Sequence, residues 1–222
     1  MRLLIIGYGK MGRLVDELAQ AAGIDVTGRL DIDTVAGAWP EADVAIDFSI
    51  AEALPANFAR LAATKTNVVI GTTGWAVHEA AVREQAAKAG IGVVASANFS
   101  IGVNVFQLVV EEAARRMAAQ PDYESWIHEA HHSAKRDAPS GTALLLRDAM
   151  VRAGYDRTID MSSTRAGRIP GTHTVGFDSQ SDTIELTHTA RDRGGFARGA
   201  LLAARWVHGK SGWFSMMDVL RG

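Results

Sequence analysis

The sequence predicts an α/β protein with two parts, a parallel sheet covered by helices and a following α+β part. Up to residue 95, short strands that are apolar throughout alternate with helical segments, a pattern typical of parallel sheets buried on both faces. From residue 98 onward, a long helix is followed by strands that are separated by glycine and aspartate. This change of pattern predicts a domain boundary near residue 100.

The first part begins with a strand at residues 3–6, an apolar run that ends at a glycine. Helical spacing then joins Met11, Leu14 and Leu18, which predicts a helix over residues 11–22. Further strands and helices continue the alternation. The strands are predicted at 25–30, 44–48, 67–70 and 92–95, and the helices at 51–63 and 76–89.

The second part begins with a predicted helix at residues 103–117 and a strand at residues 123–130. Ser140 is predicted to cap a helix that extends to about residue 153, because serine is a favoured N-cap residue. Three strands with turn residues between them follow, and we expect them to pair antiparallel. They are predicted at 159–164, 172–177 and 183–189, and a last helix is predicted at 196–207.

The composition excludes several functional classes. The chain of 222 residues is 47% hydrophobic and 22% charged, as is usual for soluble globular proteins. Its net charge of −2 provides no broad basic surface for nucleic acid or anionic lipid. The sequence contains no cysteine, which excludes disulfides, thiolate nucleophiles and Cys-ligated metals. No apolar run is long enough to span a membrane, so we expect a cytoplasmic protein that binds neither nucleic acid nor a membrane.

A glycine-rich loop after the first strand carries the clearest cofactor signal. Gly7, Gly9 and Gly12 fit the spacing G-x-G-x-x-G between a predicted strand and a predicted helix. The first glycine permits a tight turn, the second lets a pyrophosphate approach the backbone, and the third allows close helix packing. This context predicts a Rossmann-type dinucleotide site. The cofactor-binding residues predicted in the loop are Gly7, Tyr8, Gly9, Lys10, Met11 and Gly12.

Asp31 is predicted to hold the ribose of the dinucleotide. It ends the second strand about 20 residues after the glycines, where an acidic side chain accepts hydrogen bonds from the ribose hydroxyls. We expect NADH or NADPH as the cofactor, with a lean toward NADH because a carboxylate repels a 2′-phosphate. The neighbouring cations are Lys10, Arg13 and Arg29, of which Lys10 or Arg13 could reach the phosphate of NADPH.

Two further loops are candidates for cofactor contacts. They follow the fourth and fifth strands, at the edge where open α/β sheets bind their ligands. Small and hydroxyl-bearing residues in these loops can pack on a nicotinamide ribose and bind its carboxamide. The candidates are Gly71, Thr72, Thr73, Ser96, Ala97, Asn98 and Phe99.

One segment of the second part predicts a site for an acidic substrate. His131 and His132 are expected at the end of a strand, ahead of Lys135 and a helix start at Gly141 and Thr142. Exposed N–H groups at a helix N-terminus bind anions, and Lys135 would clamp a second anionic group, so a small dicarboxylate fits. Histidine is well suited to proton transfer near pH 7. No metal site is predicted, since the adjacent histidines lack further convergent ligands.

The chain resembles a known family in this segment. Residues 129–143 read EAHHSAKRDAPSGTA, which is similar to the signature of the dihydrodipicolinate reductases, also named 4-hydroxy-tetrahydrodipicolinate reductases. The similarity extends in order over nearly the whole chain. It includes residues 7–12, 47–49, 71–74, 98–104, 165–167, 173–174 and 196–200.

The resemblance implies an NADH- or NADPH-dependent reduction of 4-hydroxy-tetrahydrodipicolinate (dihydrodipicolinate) to tetrahydrodipicolinate, in the diaminopimelate route to lysine. It implies that His131 donates or accepts a proton and that Lys135 is a second proton donor. His132, Gly141 and Thr142 would hold the substrate. The family forms homotetramers through the open sheet of its substrate domain, so the resemblance also implies a tetramer.

The family layout completes the predicted fold: a Rossmann-type parallel sheet domain plus an α+β substrate and oligomerisation domain with an open mixed sheet. The family chain returns to the cofactor domain at its C-terminus. The predicted dinucleotide-binding domain therefore comprises residues 1–101 and 194–222, and the substrate-binding and tetramerisation domain comprises residues 102–193. Residues 32–43 form a shorter connection than in longer family members, which affects the contacts to the adenosine side of the cofactor.

Two other functions fit parts of the sequence. Another two-domain dehydrogenase of amino-acid intermediates, such as aspartate or homoserine dehydrogenase, explains the glycine-rich loop but not His131, His132 and Lys135. A dinucleotide-binding redox sensor is expected to lack a proton donor in its second part and often carries a DNA-binding module. Oxidation of NADH that depends on a coupled dihydrodipicolinate synthase would distinguish the reductase from both.

Overall fold

The computed structural model describes residues 1–222. It divides into two compact units, one formed by Met1–Ile101 with Arg193–Gly222 and the other by Gly102–Asp192. The first unit contains a parallel sheet and the second a mixed sheet, so the predicted α/β fold class is confirmed. This division differs by one residue from the boundary predicted between residues 193 and 194.

Strands and helices alternate along most of the first unit, whereas the second unit ends in three consecutive strands. The strands are β1 (Arg2–Ile6), β2 (Asp25–Leu30), β3 (Val44–Asp47), β4 (Asn67–Ile70), β5 (Gly92–Ala95), β6 (Glu124–His131), β7 (Ile159–Arg165), β8 (Thr172–Asp178), β9 (Thr183–Thr189) and β10 (Gly212–Phe214). The helices are α1 (Lys10–Ala21), α2 (Leu54–Ala63), α3 (Glu79–Ala89), α4 (Ile101–Ala118), α5 (Gly141–Arg152), α6 (Gly194–Val207) and α7 (Met216–Arg221). The second unit has the order α4-β6-α5-β7-β8-β9. No helix has both the length and the apolar character needed to cross a membrane.

The sheet of the first unit is parallel throughout, with the strand order β10-β5-β4-β3-β1-β2. Successive strand residues point to opposite faces, so the apolar strands supply two cores. Leu3 and Ile5 of β1 pack with α1, α6 and α7 on one face. Leu4 and Ile6 pack with α2 and α3 on the other. Burial on both faces explains why the strands are apolar throughout rather than alternating.

The second unit has a four-stranded sheet in the order β7-β6-β8-β9. Its core joins α4 and α5 to one face of the sheet through Val110 of α4, Leu146 of α5, and Ile127 and Val175 of the strands. The other face carries the alternate residues of β6 and β8, which are more exposed. One covered face and one exposed face make this an open sheet.

Two expectations about the strands were wrong or incomplete. β7 was expected to be antiparallel, but it pairs with β6 in parallel. The chain between them passes through α5, and a crossover through a helix returns the strand in the same direction. Only the β6–β8 and β8–β9 pairs are antiparallel. Strand β10 and helix α7 were not predicted, since a three-residue strand shows too little periodicity.

Candidate active site

The glycine-rich loop has the geometry that its spacing predicts. Gly7 has a φ of +83°, and a Cβ atom there would lie 2.4 Å from the carbonyl oxygen of Phe48. A Cβ atom on Gly12 would lie 2.3 Å from the carbonyl oxygen of Gly7, so the helix packs directly on the loop. A Cβ atom on Gly9 would meet nothing within 4 Å. The loop is therefore open to a ligand at Gly9, where α1 begins.

The start of α1 is suited to a pyrophosphate. Its first turn contains no acidic residue, and no side chain caps its N–H groups. These free N–H groups and the helix dipole attract anions. Lys10 and Met11 lie in this first turn, and Lys10 is exposed.

Arg29, one of the cations considered for NADPH, is engaged elsewhere. Asp16 is buried and accepts hydrogen bonds from Nε and Nη2 of Arg29 at 2.6 and 2.7 Å. It also accepts a bond from the hydroxyl of Tyr8 at 2.5 Å. The Arg29 guanidinium holds the pKa of Asp16 well below its usual range. Arg13 packs over the Tyr8 ring and donates to the carbonyl oxygen of Tyr8 at 3.3 Å. Neither Arg13 nor Lys10 is held by an acidic side chain.

Asp31 lies directly after β2 and is exposed. Its Oδ1 atom accepts a hydrogen bond from the amide of Ile32 at 3.0 Å, and its amide donates to Thr34 Oγ1 at 2.8 Å. A cavity of about 370 Å³ opens beside it and is shared with Gly7 and Gly9. Asp31 therefore faces the same space as the glycine-rich loop.

The short connection after Asp31 is held by α2. Arg60 donates hydrogen bonds to the carbonyl oxygens of Val35 at 2.6 Å and Gly37 at 2.7 Å. Its guanidinium also lies 4.2 Å from the centre of the Trp39 ring. Trp39 in turn donates to the carbonyl oxygen of Val35 at 2.8 Å. Residues 32–43 thus have a defined path despite forming no strand or helix.

Buried Asp47 ties together the loops that follow β3 and β4. Its Oδ1 atom accepts hydrogen bonds from the hydroxyls of Ser49 at 2.6 Å and Thr72 at 2.7 Å. Its Oδ2 atom accepts a bond from Asn57 at 3.1 Å. Thr72, whose hydroxyl donates to Asp47, is buried, whereas Thr73 is exposed. Thr72 therefore supports the loop through its side chain, and Thr73 faces solvent.

The loop after β5 is closed by its own side chains. Ser96 Oγ donates to the carbonyl oxygen of Asn98 at 2.8 Å and accepts from the amide of Asn98 at 3.2 Å. Phe99 is buried edge-on against Phe48, with ring centres 6.4 Å apart. A second cavity of about 240 Å³ brings four of the predicted residues together. These are Met11, Gly71, Ala97 and Phe99.

In the second unit, His131 is the last residue of β6 and is buried. Its Nδ1 atom is hydrogen bonded to Oε2 of Glu129, two residues earlier on the same face of the strand. Arg165 binds the same carboxylate with both terminal nitrogens, at 2.9 Å to Oε2 and 2.6 Å to Oε1. The result is a chain of contacts from half-buried Arg165 through buried Glu129 to buried His131.

The sheet register assembles this cluster. The parallel pairing of β6 with β7 sets Arg165 opposite His131. The antiparallel pairing of β6 with β8 sets His173 opposite Glu129. The rings of His131 and His173 meet edge to face with centres 5.1 Å apart. Three strands thus bring four polar side chains to the end of β6.

His173 also reaches the start of α5. Its Nε2 atom forms a hydrogen bond of 3.0 Å with Ser140 Oγ. Ser140 is the N-cap residue of α5, as predicted, and accepts from the amide of Ala143 at 3.2 Å. Its own amide donates to Oε1 of Glu129 at 3.2 Å. The N-terminus of α5 is therefore attached to the cluster around His131.

The ionisation of the cluster follows from burial and pairing. Burial alone would raise the pKa of Glu129, but the hydrogen bonds from Arg165 and its neighbours outweigh it and lower this pKa to about 2. Burial lowers the pKa of His131, against the opposing effect of Glu129. Burial also lowers the pKa of His173 to about 4. At neutral pH, Glu129 is ionised and His173 is neutral.

Lys135 and His132 lie in the segment between β6 and α5, and Gly141 and Thr142 are the first residues of α5. The ammonium of Lys135 binds the two carboxylate oxygens of Asp137 at 2.8 and 2.9 Å. His132 is half-buried, and its carbonyl oxygen accepts from the amide of Lys135 at 3.0 Å. Gly141 is exposed with nothing within 4 Å of a Cβ position, and Thr142 is half-buried. The first turn of α5 contains no acidic residue.

Glu129, His131 and His173 could offer three ligand atoms that lie within 4.8 Å of one another. No metal site was predicted from the sequence, because the adjacent His131 and His132 lacked further convergent ligands. The structure adds Glu129 and His173 as possible ligands, but the Arg165 guanidinium binds both oxygens of Glu129. A cation at this position would face that guanidinium, so the cluster is better described as a hydrogen-bonded network.

Glu129, Arg165 and His173 had no assigned role in the sequence analysis. The Glu129–His131 pair had a sequence signal, since residues two apart share a face of a strand. Arg165 required the parallel pairing of β6 and β7, whereas β7 was expected to pair antiparallel with the strands that follow it. His173 required the register between β6 and β8.

Comparison with known proteins places the chain among relatives. Family models for the N-terminal and C-terminal parts of dihydrodipicolinate reductase match residues 1–99 and residues 102–220. This chain belongs to the dihydrodipicolinate reductase family. The predicted family resemblance is thereby confirmed.

Individual members of the dihydrodipicolinate reductase family align along almost the full chain. A 4-hydroxy-tetrahydrodipicolinate reductase of Methanosarcina mazei is 40% identical over 230 residues, which cover 96% of this chain and 86% of that protein. One of Christiangramia forsetii is 37% identical over 233 residues, which cover 99% of this chain and 98% of that protein. Dipicolinate-bound dihydrodipicolinate reductase from Paenisporosarcina sp. TG-14 has a TM-score of 0.80 at 20% identity, covers 97% of each chain, and shares the fold.

Proposed function

We propose that this protein reduces 4-hydroxy-tetrahydrodipicolinate to tetrahydrodipicolinate in the biosynthesis of diaminopimelate and lysine. Membership of the dihydrodipicolinate reductase family and the names of the relatives support this reaction. The observation that carries the proposal is the buried His131, paired with ionised Glu129 and located at the end of the strand that leads to Lys135. The arrangement combines a proton-transfer group with a cationic site for an acidic substrate.

The first unit is proposed to hold a nicotinamide dinucleotide. The open backbone at Gly9 and the acid-free first turn of α1 fit its pyrophosphate, and exposed Asp31 fits its ribose. When bound, this cofactor supplies the hydride. A lean toward NADH is supported by the Asp31 carboxylate and by the engagement of Arg29 with Asp16. Lys10 remains available for the phosphate of NADPH.

The second unit is proposed to hold the substrate. Lys135, His132, Gly141 and Thr142 would bind a carboxylate through an ammonium, an imidazole and the N–H groups of a helix start. A dipicolinate-bound relative supports a small cyclic dicarboxylate as the ligand. The approach of an anionic substrate favours the protonated form of His131 and opposes the effect of burial.

His131 is proposed to move the proton that completes the reduction. Loss of the 4-hydroxyl group as water gives a carbon–carbon double bond conjugated to the imine. Hydride addition to this double bond leaves an enamine-like anion, which takes up one proton at the adjacent carbon. The protonated imidazole of His131 can deliver that proton, and Lys135 is a second donor that stabilises negative charge at the substrate. Acid catalysis of this type contributes about 10²–10⁴ in rate.

Assembly and location belong to the same proposal. We propose a homotetramer that forms through the open face of the β7-β6-β8-β9 sheet. The exposure of that face supports it, since half-buried Trp126 and the threonines Thr174 and Thr187 lie there. Light scattering of the purified protein would test the tetramer. A cytoplasmic location is proposed as well, and cell fractionation would test it.

The test of the activity is the oxidation of NADH or NADPH in the presence of dihydrodipicolinate synthase and its substrates. We expect oxidation that depends on the synthase, and that His131→Gln lowers turnover far more than it weakens cofactor binding. His128→Gln is the matched control, since His128 lies on the opposite face of β6. Oxidation that proceeds equally without the synthase, or not at all with either cofactor, would refute the proposed reaction.

A further inference from the structure

Arg165 binds two parts of the candidate substrate site at once. Its guanidinium makes the two hydrogen bonds to the Glu129 carboxylate, and its Nη2 atom also donates to the carbonyl oxygen of Asp137 at 2.6 Å. Asp137 in turn holds the ammonium of Lys135 through its carboxylate. One guanidinium therefore connects the support of His131 to the turn that carries Lys135.

We propose that Arg165 and Glu129 are positioning residues for the reduction: they keep a proton on Nδ1 of His131, present Nε2 as the atom that exchanges a proton with the substrate, and fix the turn of Lys135. The inference rests on the proposed function, because it assigns Nε2 of His131 to that reaction. Both residues are proposed to act through His131 and Lys135.

The hydrogen-bonding capacity of Glu129 carries the first part of the argument. Glu129 is completely buried and binds Arg165 through both oxygens. A carboxylate held in this way is ionised, and an ionised carboxylate only accepts hydrogen bonds. The short contact between Glu129 and His131 therefore requires a proton on Nδ1. In the neutral imidazole, Nε2 is then the free basic nitrogen.

The charges around His131 carry the second part. Glu129 on the same strand favours the protonated imidazole, whereas Arg165 on β7 and Lys135 on the following loop oppose it. His173 on β8 is neutral at its contact with His131. Removing Glu129 and removing Arg165 should therefore change the pKa of His131 in opposite directions. A merely structural role for either residue predicts no such opposition.

The experiment measures the ionisation and tautomer of His131 by ¹⁵N NMR of the histidine rings in the protein without ligand. The His131→Gln variant assigns the signal. Glu129→Gln should lower the pKa of His131 by about one unit, and Arg165→Met should raise it, as expected for removal of one charge within a few ångströms. Unchanged values in both variants, or shifts in the same direction, would overturn the proposal.

Kinetics separate the two functions of Arg165. Glu129→Gln should lower kcat at least about tenfold with a small change in KM, because only proton transfer is affected. Arg165→Met should lower kcat and also raise KM for the dicarboxylate, because the turn of Lys135 loses its anchor. Arg165→Lys keeps the charge but not the forked geometry, and it should restore the pKa of His131 without restoring KM.

Controls keep the result interpretable. Arg168→Met removes an exposed arginine from the turn after β7 and should change neither the pKa of His131 nor KM. Thermal unfolding verifies that each variant is folded, and Arg165→Gln, which also removes the charge, replaces Arg165→Met if the latter does not fold. The NMR measurement needs no turnover, so it tests the positioning of His131 independently of the reaction. If the pKa values shift as expected but the protein has no reductase activity, the proposed function is refuted and the positioning role is retained. Normal activity without the shifts would refute the positioning role.

Discussion

Nε2 of His131 lies 3.0 Å from the position that a Cβ atom would occupy on Gly171. Gly171 immediately precedes β8, and its φ of +145° is one that residues with side chains rarely adopt. The absence of a side chain at Gly171 therefore leaves space at the nitrogen proposed to exchange a proton.

We expect Gly171→Ala to lower turnover about tenfold or more, because the added methyl group displaces the His131 ring or covers Nε2. The measurement is kcat with the coupled substrate. Gly167→Ala is the matched control, since Gly167 also has a positive φ of +49° but no atom within 4 Å of its Cβ position. Equal losses in the two variants would attribute the effect to backbone strain and not to obstruction of His131.

Asp31→Ala should weaken NADH binding and leave NADPH binding similar or improved. The carboxylate that binds the ribose hydroxyls is lost, and so is its repulsion of a 2′-phosphate. Fluorescence titration with both cofactors measures the change, and Asp33→Ala removes a neighbouring exposed carboxylate as the control. Equal weakening of both cofactors would show that Asp31 only supports the turn through its bond with Ile32.

Lys135→Ala should weaken the binding of pyridine-2,6-dicarboxylate by at least about tenfold, because hydrogen bonds to charged groups contribute about 1.5–3 kcal/mol each. Turnover should fall as well. Thr142→Val should weaken binding less, since the backbone N–H groups of α5 remain. Calorimetry with cofactor present measures both variants.

Arg136→Ala is the control for the loss of Lys135, because it removes an exposed cation from the next position. Dicarboxylate binding that survives Lys135→Ala undiminished would remove Lys135 from the proposed substrate site.

The folded protein should lose stability as the pH falls from 7 to 5. The pKa of His173 is 6.5 in its ordinary state and about 4 in the folded protein. The unfolded chain therefore binds a proton in this range that the folded chain does not bind, which lowers the free energy of unfolding as the pH falls. The contribution of His173 is on the order of 2 kcal/mol. The lowered pKa of His131 acts in the same direction.

His173→Gln should reduce this dependence on pH, as measured by denaturant unfolding at pH 7 and pH 5. His78→Gln should preserve it, because His78 is exposed. An unchanged slope in His173→Gln would mean that other groups cause the acid destabilisation.

Local pattern was sufficient for much of this protein. The apolar runs of β1, β3, β4 and β5 predicted a buried parallel sheet, because strands covered on both faces carry no polar alternation. The spacing of Gly7, Gly9 and Gly12 predicted the loop geometry, because each position has its own steric requirement. Ser140 predicted the start of α5, because capping depends on a residue and its immediate neighbours. The family signature in residues 129–143 is likewise contiguous in sequence.

The tertiary structure decided what depends on strand pairing. The parallel pairing of β6 with β7 sets Arg165 opposite His131, and the register of β8 brings His173 to Glu129. The occupation of Arg29 by Asp16, which removes one cation from the NADPH argument, likewise depends on how α1 packs on β2. These contacts join residues 13 to 44 positions apart in the chain. Local sequence determines which face of a strand a side chain occupies, but only the register between strands determines which side chain it meets.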